Sequence, residues 1–132
     1  MAIKRDQADI WFSKAIRLRD RYQCQHTGKQ FAEGQLGLEC CHIYGRANKI
    51  VRWDPMNAIS MSHASHRYFT ANPLEFHRFL VEKLGEGHLQ LLNERSRGIL
   101  KTNKALRKEI ARHYRQEYNR MLEGNTRDLI GF

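Results

Sequence analysis

Proline and cysteine are scarce in this chain, with two and three residues respectively among 132. Two of the three cysteines, Cys40 and Cys41, are adjacent, so they supply no disulfide framework. Adjacent cysteines bridge only with strain, and a reducing, cytoplasmic setting is expected. No apolar run approaches the roughly 20 residues that span a bilayer, and no signal-peptide pattern opens the chain. Repeats and low-complexity tracts are absent too. Acidic residues are also in short supply: 14 Asp and Glu face 23 Lys and Arg, a net charge of +9. Such an excess suits a polyanionic partner, because each neutralised phosphate releases counterions; a basic but inert surface is the alternative. An anionic membrane fits less well, since the charge is spread out and no amphipathic Trp/Phe-rich helix stands out. Modest Gly and Pro with an ordinary hydrophobic fraction describe one globular domain, long enough to bury a core unaided.

Periodicity predicts a first helix over residues 6–22, with Trp11, Ala15, Leu18 and Tyr22 on its apolar stripe. Residues 24–37 are turn-rich. Leu38 to Tyr44 and Ala58 to Met61 read as paired strands around a loop closed by Asp54-Pro55. Ser62 can cap a helix that stops near Asn72, before Pro73. Asn72-Pro73-Leu74-Glu75 then starts another, with Leu74, Phe76, Phe79, Leu80 and Leu84 on its apolar face, and Gly85 and Gly87 ending it. A short helix is expected over Leu89 to Arg97, and a long basic one from about Leu100 to Glu123. On the latter, Leu106, Ile110, Tyr114, Tyr118 and Met121 or Leu122 share one side. The tail after Gly124 is expected to be loosely held.

The stretch from Leu38 to His66 gathers Cys40, Cys41, His42, a basic loop (Arg46, Lys49, Arg52), Asn57 and a second histidine cluster. Hydrolysis of a phosphodiester needs a base, a charge-bearing metal and a scaffold for both. A histidine is the natural base near neutral pH. His42, ending an apolar strand beside basic residues, is therefore a candidate base; the alternative is a half-buried histidine satisfied by a backbone carbonyl.

Leu38-Glu39-Cys40-Cys41-His42-Ile43 resembles the LEVDHI strand of HNH nucleases, the ββα-metal superfamily. Asn57 stands at the family's central asparagine. Ser62, Ser65 and His66 fall where the family carries C-x-x-C-H. Over most of the chain, DIWFSKAIRLRD, CHIYGRANKIVRWDPMNA and YFTANPLEFHRFLVEKLG look like the lambdoid-phage NinG (Rap) recombination nucleases.

The resemblance implies an α+β fold: a small ββα-metal hairpin–helix core over residues 1–85 with the N-terminal helix. A basic helical extension, 86–132, would pack on the same domain. It further implies a metal-dependent DNA endonuclease acting on branched recombination intermediates in the host cytoplasm. A catalytically inactive DNA-binding module of the same fold is the alternative. His42 would be the general base, and Asn57 would orient its loop or reach the metal. His66 would be a metal ligand, with Cys41 at the position of the usual aspartate ligand. Arg46, Lys49, Arg52 and Arg67 would contact DNA. The metal would be Mg²⁺ or Mn²⁺; Zn²⁺ enters because a thiolate favours it. A two-fold junction substrate suits a homodimer. The family's four structural zinc cysteines correspond to Cys24, Thr27, Ser62 and Ser65, so a Cys₄ site cannot form. Hydrogen bonding across that junction is expected instead; a mixed site of Cys24, His26, Cys40 and His63 is the other reading.

Overall fold

The computed structural model describes residues 4–132, so residues 1–3 of the expected first domain lie outside the described residues. The fold is α+β. Its elements run α1 (Gln7–Arg19), β1 (Leu38–His42), β2 (Ala58–Ser62), α2 (His63–Ala71), α3 (Pro73–Leu84), α4 (Glu86–Ser96) and α5 (Lys104–Gly124). A short 3-10 turn, Pro55–Asn57, leads into β2.

Helix α1 begins at a reciprocal cap. The Asp6 carboxylate accepts from the Asp9 backbone N–H at 3.0 Å, and Asp9 returns the bond at 3.0 Å. It ends before residue 22, because Arg21 and Tyr22 turn left-handed at φ 57° and 55°. The expected stripe is met at Ala15 and Leu18, which are buried together with Ala8, Phe12 and Ile16, while Trp11 is half-buried and meets Tyr118 edge-on. At the end of the helix Arg19 donates to the carbonyls of Pro55 and Ala58, both at 2.8 Å. Asp20 accepts from the Ser60 N–H at 2.9 Å, so the end of α1 is clamped to the head of β2.

Strands β1 and β2 pair antiparallel, with Leu38 opposite Ser62 and His42 opposite Ala58. Successive strand residues point to opposite faces, and each face meets its own core. On one side lie α1, α5, Trp53 and Ala58, with Cys40 packed against them. On the other lie Cys24, Phe31, Leu38, Cys41, Ile59, Met61 and Phe69. The adjacent cysteines are thus divided between two apolar clusters.

Ser62 caps α2 by accepting from the Ser65 N–H at 3.2 Å. Asn72 does not cap α3: its amide donates to the Tyr68 carbonyl at 2.8 Å and closes α2 instead. Leu74 stays 78% exposed, leaving Leu80 as the fully buried contact of α3. Gly85, at φ 88°, is the single break between α3 and α4. Gly87 lies inside α4, which therefore starts earlier than Leu89.

Helix α5 starts at Lys104, later than Leu100, where Asn103 caps it by accepting from the Leu106 N–H at 2.8 Å. Ile110, Tyr114 and Met121 are buried against α1, whereas Leu122 is exposed. Residues 86–132 therefore share a core with the N-terminal helix. The tail is not loose. Ile130 N–H donates to Glu117 at 2.7 Å, His113 Nε2 donates to the Ile130 carbonyl at 2.8 Å, and Leu129 packs on the first cluster. Acceptors and donors on α5 fix the segment that composition alone left free. Among the described residues, no helix is long and apolar enough to cross a membrane.

Candidate active site

A cleft of about 450 Å³ runs beside β1. Its walls come from α1 and the residues before it (Arg5, Asp9, Ser13, Arg17), from β1 (Glu39, Cys40, His42), from the loop after β1 (Gly45, Arg46), and from α2 (His66). Three of the expected site residues, His42, Arg46 and His66, therefore share one cavity.

His42 is stacked on Phe12 with ring centroids 5.8 Å apart. Its Nε2 lies 3.1 Å from the Arg52 carbonyl. A carbonyl only accepts, so Nε2 carries the proton and the neutral ring keeps its lone pair at Nδ1. Burial pulls the imidazole below its ordinary value, an effect the bond to Arg52 and the charge of Asp9 oppose. The ring is thus neutral at pH 7 and basic at one defined atom.

Asn57 does not line the cleft. It is fully buried, and its amide donates to the carbonyls of Tyr44 at 2.9 Å and Val51 at 3.0 Å. Its Oδ1 accepts from the Tyr44 N–H at 2.7 Å. These bonds staple both ends of the basic loop to the head of β2, making Asn57 a positioning residue. From outside, α4 braces the same loop: Asn93 donates to the Tyr44 hydroxyl at 2.8 Å, and the Asn48 amide to the Ser96 carbonyl at 3.2 Å.

His66 and His63 both reach Glu39, each Nδ1 lying 2.9 Å from one carboxylate oxygen. A carboxylate accepts, so Nδ1 of each ring carries the proton, and Nε2 of His66 is left free. Burial alone would raise the Glu39 carboxyl, but the bonds from His63 and His66 outweigh it and hold the group below the ordinary range. Glu39 is absent from the sequence-derived set. The hairpin register carries the signal: Leu38 pairs with Ser62, which brings Glu39 beside the first turn of α2, where His63 and His66 are three residues apart.

The charges in the cleft do not balance. Asp9 is spent on Arg52 and Glu39 on the two histidines. Arg5, Arg17 and Arg46 make no ion pair among the described residues. Arg17 reaches only the Ser13 hydroxyl, and Nη1 of Arg46 is buried without a partner. An unpartnered buried guanidinium nitrogen is costly unless an anion completes it. Arg17 was not legible as a site residue because the helix pattern leaves it on a generic charged face, and Arg5 precedes the helix, where no pattern singles it out.

Two expectations, Arg52 and Cys41, need correction, and two further residues, Lys49 and Arg67, stand outside the cleft. Arg52 is not a phosphate contact: it is buried, with Nη2 2.6 Å and Nε 3.0 Å from the Asp9 carboxylate. Cys41 is buried in the second apolar cluster, outside the cleft, and burial pushes its thiol up to about 12, which does not suit a metal ligand. Lys49 faces a separate cavity beside Trp53 and Phe132. Arg67 is exposed on α2 and lines an adjoining cavity that shares Glu39 and His66 with the cleft.

The junction of the turn-rich segment with α2 is closed by hydrogen bonds. Cys24 Sγ lies 3.8 Å from Ser65 Oγ, Ser62 and Ser65 hydroxyls are 3.1 Å apart, and His26 Nδ1 is 2.8 Å from Ser65 Oγ. The Thr27 N–H donates to the Cys24 sulfur at 3.5 Å. Burial pushes the Cys24 thiol up, but donors from Ser62, Thr27 and His26 outweigh it and bring the value down to about 6. The mixed set of Cys24, His26, Cys40 and His63 does not converge: Cys40 faces the other apolar cluster and His63 pairs with Glu39.

Among the described residues, no group of three or more His, Cys, Asp and Glu converges on a metal position. The cleft instead offers one free imidazole nitrogen on His66, its ring fixed by a carboxylate, as metal-binding histidines usually are. A lone imidazole is the donor type that suits Zn²⁺ more than Mg²⁺ or Mn²⁺, which take oxygen ligands.

No protein-family model, no curated protein and no solved structure matches this chain.

Proposed function

We propose that this protein is a metal-dependent endonuclease of the HNH (ββα-metal) type that hydrolyses phosphodiester bonds in DNA. The observation that carries the reading is the shared cleft: a neutral, desolvated His42 with its lone pair at Nδ1, the free Nε2 of His66, and unpaired Arg5, Arg17 and Arg46. The order hairpin then helix and the Cys24–Ser62–Ser65 junction support the same resemblance.

In the proposed reaction a water attacks phosphorus and gives its proton to His42 Nδ1. The scissile P–O bond breaks, and the departing oxygen takes a proton from solvent. Asp9 and the Arg52 carbonyl hold the imidazole environment together, and Glu39 keeps the His66 ring in one orientation. Arg46 and Arg17 bind the phosphate as its charge grows. A divalent ion held by His66, Mg²⁺ or Mn²⁺ on the resemblance and Zn²⁺ on the donor type, supplies further charge stabilisation when bound. Branched recombination DNA is the substrate class the NinG/Rap resemblance implies, and a two-fold junction would suit a homodimer.

The second reading is a DNA-binding module of this fold without catalysis. It is favoured by Cys41, which takes the place of an acidic ligand and is buried in apolar surroundings. Incubating the protein with branched and linear DNA and with RNA, in Mg²⁺, Mn²⁺, Zn²⁺ or EDTA, separates the two. Expected is metal-dependent DNA cleavage that His42→Ala lowers at least 10²-fold, the scale of general-base catalysis. Binding without cleavage, or cleavage untouched by His42→Ala, defeats the catalytic assignment, and preference for RNA defeats the substrate class.

A further inference from the structure

A second basic feature adjoins the cleft. The groove between α1 and α5, about 430 Å³, is lined by Lys4, Arg5, Lys104, Arg107 and Lys108. Arg5 also lines the cleft that holds His42, so the two cavities meet at one side chain. Further along the same pair of helices, Trp11 carries Lys14 over its ring at 4.7 Å and Arg115 at 5.7 Å. Lys104, Lys108 and Arg115 recur at four- and seven-residue spacing, which puts them on one face of α5. The sole carboxylate in the groove, Asp6, is engaged by Arg107 at 3.6 Å and by the helix cap. Lys4, Arg5, Lys14, Lys104, Lys108 and Arg115 are all exposed, and none makes an ion pair among the described residues.

We propose that the α1/α5 groove is a second nucleic-acid surface: it takes the phosphate backbone of a duplex arm that continues out of the cleft past Arg5. It rests on the nuclease reading only for the direction of that arm. Duplex phosphates fit because the cations are repeated along two side-by-side helices rather than gathered round one point. An anionic bilayer fits poorly, since the only aromatic between these cations, Trp11, is packed against Tyr118.

The test measures binding to a fluorescent DNA duplex in EDTA, over a range of salt, for the whole protein. Compared with it are Lys104→Gln/Lys108→Gln/Arg115→Gln and a control that removes equal charge elsewhere, Lys29→Gln/Arg78→Gln/Lys83→Gln. Each lost phosphate contact lowers the slope of log affinity against log salt by about 0.9. The groove variant is expected to lose about 2 to 3 from the slope and to bind roughly tenfold or more weakly at moderate salt. The control should keep the slope. An unchanged slope in the groove variant, an equal fall in the control, or wild-type preference for phosphatidylserine vesicles over duplex overturns the proposal. Absence of metal-dependent cleavage by the wild type, with the groove variant still lowering the slope, overturns only the nuclease reading.

Discussion

Arg52 and Asp9 lie 43 residues apart in the chain and are buried together. Removing one partner of a buried pair leaves the other charge without compensation. Arg52→Ala should therefore lose about 3–5 kcal/mol in urea unfolding. Arg52→Lys should recover only part of that, because an ammonium cannot form both bonds. Burial would raise the Asp9 carboxyl, but Arg52 and the Asp6 backbone outweigh it and hold it low. The ionised form thus contributes stability above the unfolded value of about 3.9, and this is lost as pH falls through the lower folded value. Asp9→Asn should flatten the acid limb of stability against pH. If His42 is the base of the proposed nuclease, its lowered value should put the acid limb of kcat/KM below about 6.5, the ordinary imidazole value; a limb well above it would contradict a desolvated base. At Glu39, replacement by Gln should weaken metal binding about 10–100-fold, read by titration calorimetry, because the His66 ring loses its carboxylate. His42 and His66 were singled out by the resemblance to the HNH pattern, and the fold brings both to one cleft. The role of Arg52 was not legible, since an arginine in a basic loop looks the same whether it meets a phosphate or a distant aspartate.

Among the elements, ends were more legible than starts: α2, α3, α4 and α5 stop within a residue or two of the expected place, whereas α4 and α5 begin elsewhere and α1 alone stops early. Ser62 caps α2 through its own side chain, as its residue type and place suggested, whereas the Asn103 cap sets the start of α5 later than the expected Leu100. The end of α1 at Arg19 depends on Arg19 and Asp20 finding β2, which no local pattern reports. Gly85 breaks the chain and Gly87 does not, because only the first adopts a positive φ. The tail likewise depends on partners in α5. Truncation after Asn125 should lower stability by about 1 kcal/mol, less than the worth of a fully buried leucine because Leu129 is partly buried, read in thermal unfolding. At the junction of Cys24 with α2, hydrogen bonds occupy the place where the resemblance has zinc. Chelator treatment should leave the melting temperature unchanged, and a large fall with stoichiometric zinc release would contradict that account.

For the molecule as a whole, the hairpin divides the interior into two clusters and leaves β1 with one strand partner. A strand bordered on one side by a cleft is an open template onto which a second copy could add its own strand and seed aggregates. Here that border carries Arg5, Arg17 and Arg46 with no matching carboxylates. Two copies approaching edge to edge would bring these uncompensated cations together. The charges proposed to draw a phosphate would then also keep the folded chain from polymerising through its sheet, and neutralising all three should trade nucleic-acid affinity for a tendency to precipitate.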